Sequence, residues 1–133
     1  MPDTARADLL DAFTQAWGDR DLDALMGLMS DDCEFRASVG REPGTTFAGR
    51  DEVRRGFELF VGPAAPPAPP EVENEEPLVA DDFAVTRWTL RWPQPEGPPV
   101  EVRGCDVFRF DGDRISLKDT YRKVPGSLGP QDS

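Results

Sequence analysis

Asp106 belongs to an alternating run, Val100, Val102, Gly104, Asp106, Phe108 and Phe110, whose other members are apolar or glycine. A strand that buries Val102 and Phe108 buries Asp106 with them, because residues two apart share a face. Carboxylates seldom go inside without a partner or a task. Desolvation favours the protonated acid, which can donate a hydrogen bond, whereas a nearby cation favours the ionised form. With apolar neighbours on its own strand face, Asp106 is expected to be protonated; the plainer alternative is a structural acid satisfied by a tyrosine or a backbone group. Lys118, Asp119 and Tyr121, a short turn further along, are its candidate catalytic partners. Lys118 or Tyr121 is expected within hydrogen-bonding reach, since an unpaired buried acid costs roughly 1–3 kcal/mol. The chain contains no histidine, which removes the usual imidazole acid-base group and the commonest metal ligand. Any catalysis therefore rests on carboxylates, a lysine, a tyrosine or hydroxyls.

These residues need a scaffold, and 133 residues suffice for one domain with one core. No apolar run approaches the ~20 residues that cross a bilayer. Met1-Pro2-Asp3-Thr4 leads directly into an amphipathic pattern without the marks of a secretion signal. A cytoplasmic protein with no membrane partner is expected. Cys33 and Cys105 make no disulfide framework and are expected to be reduced. A net charge of −11 repels a phosphate backbone, and the basic residues form no stripe, so nucleic acid is excluded as a partner. The acids lack calcium-loop spacing and no histidine or cysteine cluster exists, so neither metal nor cofactor is expected.

Apolar spacing predicts three helices. Leu9, Leu10, Phe13, Ala16 and Trp17 share one face, with Asp3 or Thr4 as N-cap and Gly18 as the stop. Leu22, Leu25, Met26 and Met29 form a second, followed by an extended piece from Cys33 to Ser38. Val53, Phe57, Phe60 and Val61 form a third, after the acids Asp51 and Glu52 and before Gly62. The proline-rich stretch 63–70 is neither helix nor ladder strand and reads as an internal loop. Beyond it the period becomes twofold: Thr86, Trp88, Leu90 and Trp92 alternate with polar residues, with Trp92 expected in the core. The Asp106 strand follows, then the turn Asp111-Gly112-Asp113 and a last strand from Arg114 to about Lys123. Residues 124–133 read as a flexible tail. Glu71, Glu73, Glu75 and Glu76 read as solvated edge-strand charge. Helices first and long, closely joined strands after predict an α+β domain with an antiparallel sheet.

The run Asp106-Val107-Phe108-Arg109-Phe110-Asp111, with Arg114-Ile115 and Tyr121 after it, resembles the penultimate-strand motif of ketosteroid isomerases. Ser30-Asp31-Asp32-Cys33, after Leu22 to Met29 and before Gly49-Arg50-Asp51-Glu52, resembles that family's second helix, first strand and third-helix entry. The resemblance covers most of the chain and extends to SnoaL-like cyclases and the nuclear transport factor 2-like superfamily. It implies a cone-shaped curved antiparallel sheet packed on three N-terminal helices and enclosing a pocket. Phe13, Trp17, Phe57, Trp88, Phe108 and Thr120 would line that pocket. The half-buried sheet, with Cys105 and Val107 among its outward positions, predicts a homodimer built on its outer face.

Site residues carry over only one by one. In the isomerases a protonated aspartate and a tyrosine hold the enolate oxygen while a second aspartate moves the proton. Asp106 matches the first, but the tyrosine's place falls on Phe13 and the second aspartate's on Ala37. The epoxide hydrolase arginine and aspartate would be Arg87 and Thr89, which breaks that pattern too. In SnoaL-like cyclases the last-strand acid would fall on Thr120, one residue from Asp119. On that template Ser116, Lys118, Thr120 and Arg122 face the pocket, whereas hydrophobic alternation turns Ile115, Leu117, Asp119 and Tyr121 inward. Two functions stay open at this point. One is a cofactor-independent isomerase, cyclase or dehydratase acting on an apolar ketone or polyketide-like compound by acid-base chemistry. The other is a non-catalytic module in which the same pocket binds a hydrophobic small molecule or is plugged by Phe13, Phe57 and Trp88.

Overall fold

The computed structural model describes residues 2–41, 43–63, 65 and 70–125, the side chains of residues 2–4 excepted. Most of the proline-rich loop, the tail beyond residue 125 and the proposed caps Asp3 and Thr4 thus lie outside the described residues or side chains. Three helices, α1 (Pro2–Gly18), α2 (Leu22–Gly27) and α3 (Arg50–Val61), pack on a curved, unclosed sheet. Its strands are β1 (Met29–Arg36), β2 (Thr46–Ala48), β3 (Glu71–Asn74), β4 (Leu78–Val79), β5 (Phe83–Trp92), β6 (Val100–Asp111) and β7 (Arg114–Arg122). Their order is β2-β1-β7-β6-β5-β3, with β4 also on β5. Among the described residues no helix is long and apolar enough to cross a membrane.

The apolar stripe of α1 buries Leu10, Phe13 and Ala16, as its spacing requires. α2 starts where the Asp21 carboxylate accepts a hydrogen bond from Ala24 N at 3.1 Å and stops at Gly27, two residues earlier than the apolar spacing suggests. Met29 leaves the helix to pair with Ile115 in β7. Arg50 makes that early exit possible. Its guanidinium donates to the carbonyls of Met26 at 2.9 Å and Met29 at 2.8 Å, satisfying acceptors that a helix end leaves open. Gly49, at φ 85°, makes the turn into α3 that side chains disfavour. Within α3, Gly56 lets the helix lie directly on the sheet: a Cβ there would stand 2.7 Å from the Phe47 ring and 2.9 Å from that of Phe35.

The sheet is antiparallel except at one pair, β1 with β7, which run parallel. The long excursion through β2 and α3 to β6 separates them in sequence, and parallel neighbours require such a crossover. The decisive irregularity lies in β7. Arg109 pairs with Leu117 but Phe110 pairs with Ile115, so Ser116 is an extra, unopposed residue, a β-bulge. Before it, Ile115 faces inward and is fully buried; after it, Lys118 faces inward opposite Phe108. The two candidate faces of the last strand are therefore both used, one on each side of the bulge. At the free edge β3 exposes every residue, and its acids meet arginines of β5, Glu73 with Arg91 at 3.0 Å and, just beyond the strand, Glu75 with Arg87 at 3.1 Å.

Arg50→Met should destabilise the protein by roughly 2–4 kcal/mol, because it strips charge-assisted donors from buried carbonyls. Urea unfolding measures this. A loss below about 0.5 kcal/mol, the size of an ordinary surface substitution, would show that the α2 exit holds without the guanidinium.

Candidate functional site

Successive rungs of the inner sheet face build one wall of a cavity. Phe35, Lys118, Phe108 and Ala84 stand side by side across β1, β7, β6 and β5. The next rung is Thr120, Asp106 and Thr86; the one beyond is Arg122, Gly104 and Trp88. Phe13 and Trp17 from α1, with Phe60 from α3, close the opposite side. The enclosed space is about 250 Å³. It is open rather than plugged: Phe13 and Trp88 form its walls, while Phe57 is fully buried beneath them. Phe57 thus supports the lining from below, with its ring against Phe13, Trp17 and Phe35, and does not itself face the cavity.

Asp106 is 8% exposed and Lys118 5%, so both charges are essentially out of water. Lys118 Nζ donates to Asp106 Oδ1 at 3.1 Å and to Thr120 Oγ1 at 2.8 Å. The Thr120 hydroxyl donates onward to Asp106 Oδ1 at 2.6 Å, and the Trp88 indole N–H donates to Oδ2 at 3.2 Å. Three donors therefore converge on one carboxylate. The ammonium also lies 4.6 Å from the centre of the Trp17 ring and 4.9 Å from that of Phe35, where ring quadrupoles attract a desolvated cation. Asp106 thus does not stand among apolar groups alone: the adjacent strand supplies a lysine beside it. The apolar residues on its own strand gave no sign of that cation. A buried ion pair survives only with such geometry, because desolvation otherwise cancels the attraction.

Gly104 explains how Trp88 reaches the acid. A Cβ at that position would lie 2.6 Å from the indole Cζ2 and against the Tyr121 carbonyl. Its absence lets the indole lie across β6 and point its N–H at the neighbouring rung. The alternating run contained this signal, a glycine two residues before a buried acid and opposite a tryptophan, though it did not identify the hydrogen bond. Phe35 was also overlooked. The spacing of Cys33, Phe35 and Ala37 on the first strand places it inward, and all three are buried.

Of the residues proposed for chemistry, the structure brings Asp106 and Lys118 together, with Thr120, proposed for the lining, beside them, and sends Asp119 and Tyr121 to the other face. Tyr121 is 56% exposed and its hydroxyl donates to Asp119 Oδ2 at 3.2 Å. The Asp119 carboxylate beside it pushes the phenol above its ordinary range. The bulge at Ser116 is the physical reason for this placement. Trp17, Trp88 and Phe108 line the cavity. Trp92 is half-buried at the end of β5, opposite the exposed Val100, outside the core expected for it. Cys33 and Cys105 are free thiols, both shifted upward by burial, which disfavours the thiolate form. Among the described residues no three metal-ligating side chains gather.

Residues 10–117 match the sequence profile of a family described as the SnoaL-like domain. Among solved structures the chain is similar to a nuclear transport factor 2-like protein of unknown function from Mesorhizobium loti, with 24% identity and a TM-score of 0.76 over 93% of this chain and 95% of that one. It is also similar to a steroid delta-isomerase from Pseudomonas aeruginosa, with 20% identity and a TM-score of 0.68 over 90% of this chain and 80% of that one. A protein named Bal32a, from a soil-derived mobile gene cassette, matches at 15% identity and a TM-score of 0.73 over 92% of each chain. At these identities the likeness is one of fold. No curated protein matches the chain.

Replacing Asp106 by Asn keeps the shape and leaves the Lys118 ammonium without its counter-charge, so it should cost about 3–5 kcal/mol at neutral pH. Lys118→Met should cost a comparable amount. The double variant should cost less than the sum, because removing both charges removes the penalty that each single change exposes. Denaturant unfolding of all four proteins decides it. An Asn variant as stable as the parent would restore the protonated acid.

Proposed function

Since the chain belongs to the SnoaL-like domain family, we propose that its cavity takes up an apolar small molecule whose oxygen accepts a hydrogen bond from Lys118, and that Lys118 and Asp106 together perform acid-base chemistry on it. The carrying observation is a cavity of about 250 Å³ with mostly apolar walls and a single buried ion pair on its inner face. An apolar pocket with a few convergent polar groups is the usual form of a small-molecule site. The Lys118 ammonium is placed to donate to a carbonyl oxygen and to stabilise negative charge developing there. Asp106 is the one carboxylate among the residues lining the cavity and is the candidate acceptor for a proton beside that carbonyl. Isomerisation, cyclisation and dehydration of an apolar ketone all begin with such a proton transfer. The family includes isomerase and cyclase members, and a steroid delta-isomerase shares the fold. Ordinary steroid isomerisation is not proposed, because Phe13 and Ala37 occupy the places where the resemblance calls for a hydroxyl and a base.

A second reading rests on a specific observation. Every polar atom of the cluster already has a partner, and no buried side-chain nitrogen or oxygen among the described residues lacks one. A substrate must displace one of these bonds to react, whereas a ligand that is only bound need not. In either case the outer sheet face, where Val85, Cys105 and Val107 are half-buried and Leu117 is 8% exposed, is proposed to pair with a second copy of the chain.

The two readings separate on a ketone probe, 2-tetralone, in deuterated water. Catalysis predicts binding and α-proton exchange at least tenfold faster with the parent protein than with Asp106→Asn, read by NMR. Binding without accelerated exchange selects the non-catalytic module, and no binding of this probe or of any copurifying compound seen by mass spectrometry overturns both. For the proposed dimer, sedimentation at micromolar concentration should give twice the chain mass. A monomer throughout would refute it.

A further inference from the structure

The residues lining the cavity carry a charge imbalance opposite to that of the whole chain. Lys118 and Asp106 neutralise each other, and Arg122 is the one remaining charged residue of the lining. The protein has 26 acids and a net charge of −11, and the excess positive charge of the lining runs against it. Three arginines on the neighbouring strands are paired at the surface. Arg87 pairs with Glu75, Arg91 with Glu73 and Glu101, and Arg103 with Glu101. All three alternate onto the outer face of β5 and β6. Arg122 stands on the inner face, opposite Gly104, where the glutamates of that end do not reach it. Among the described residues it forms no ion pair or side-chain hydrogen bond. It is exposed, as are Val72 and Asn74 of β3, which also line the cavity, so these residues mark the mouth.

We propose that Arg122 reads an anionic group at the outer end of the ligand, so that the occupant is an apolar molecule with a polar oxygen at one end and a carboxylate or comparable anion at the other. The proposal rests on the cavity being a ligand site and adds the class of ligand. Lys118 and Arg122 lie four residues apart on one strand face, ~13 Å at the usual rise. Allowing ~3 Å for a hydrogen bond at each end leaves ~7 Å between the ligand's two polar atoms. That is about the length of two fused six-membered rings. The guanidinium suits this task, since its planar fork matches a carboxylate and stays charged at every relevant pH. A neutral polycyclic ketone would leave it without a partner, whereas an aromatic acid would engage both ends of the stripe formed by Lys118, Thr120 and Arg122.

The probes are 6-hydroxy-2-naphthoate and its methyl ester, which share ring system and hydroxyl and differ in charge, titrated into the full chain by calorimetry. The acid should bind the parent protein about tenfold more tightly than the ester, the size expected of one charge-assisted contact. Arg122→Gln should abolish that difference by weakening the acid alone, Arg122→Lys should retain part of it, and added salt should narrow it in the parent. Equal affinities for acid and ester in the parent, or an advantage for the acid that persists in Arg122→Gln, would overturn the assignment while leaving the cavity a ligand site. Failure of both probes to bind would instead count against the cavity reading, and the role of Arg122 would fall with it.

Discussion

The last strand must serve two environments, and the extra residue at Ser116 lets it do so. A regular strand would send Ile115, Leu117, Asp119 and Tyr121 to one face throughout. With the bulge, Ile115 stays in the core beside Met29 while Lys118 and Thr120 turn toward the cavity, among the rings of Phe13, Phe35 and Phe108 that line it. The Asp106 carboxylate meets its cation only because of this shift. Had the strand continued unbroken, Asp119 would have stood close to Asp106, two carboxylates in a dry site with no counter-charge, an arrangement that cannot keep both ionised.

The same shift sorts the charged residues of the sheet. On the outer face arginines and glutamates pair with each other at the surface, where such pairs contribute little to stability. On the inner face a single ion pair is held by a threonine hydroxyl, an indole N–H and two aromatic rings. Its worth is as much geometric as energetic. It fixes the positions of an ammonium and a carboxylate within one cavity, the kind of preorganisation that both binding and proton transfer need. Gly104 contributes by omission, since any side chain there would push the indole off the acid. Phe57 and Gly56 act one layer further out, setting how closely α3 can press the aromatic wall against the sheet.

The steroid delta-isomerase and the nuclear transport factor 2-like protein share the fold with this chain at identities of 20% and 24%. A cone of this kind supplies a dry interior with strands from several directions, and side-chain choice at a few inward rungs decides what it can do. Here the choice is a lysine facing an aspartate across two strands. Phe13 takes an apolar role in the place where the isomerase pattern calls for a hydroxyl. The pocket therefore holds one ion pair at depth rather than a chain of neutral donors.

Much of this was legible in the chain itself. The apolar steps of Leu10, Phe13 and Ala16, the twofold alternation of β5 and β6, and the inward position of Asp106 all follow from local periodicity, which depends only on neighbours along the backbone. The motif around Asp106 carried the family. Other features depended on residues far apart in sequence. Met29 left its helix because Arg50 and Ile115 offered its backbone other partners, and the face of Lys118 was settled by a one-residue shift against β6. The ionic character of the Asp106 site required the two strands to be in register, and the exclusion of Phe57 from the cavity required the helices to be docked. Periodicity gives each strand two faces. Which face meets the cavity, and which charge stands opposite which, is decided only when the sheet closes its hydrogen bonds and the core excludes water.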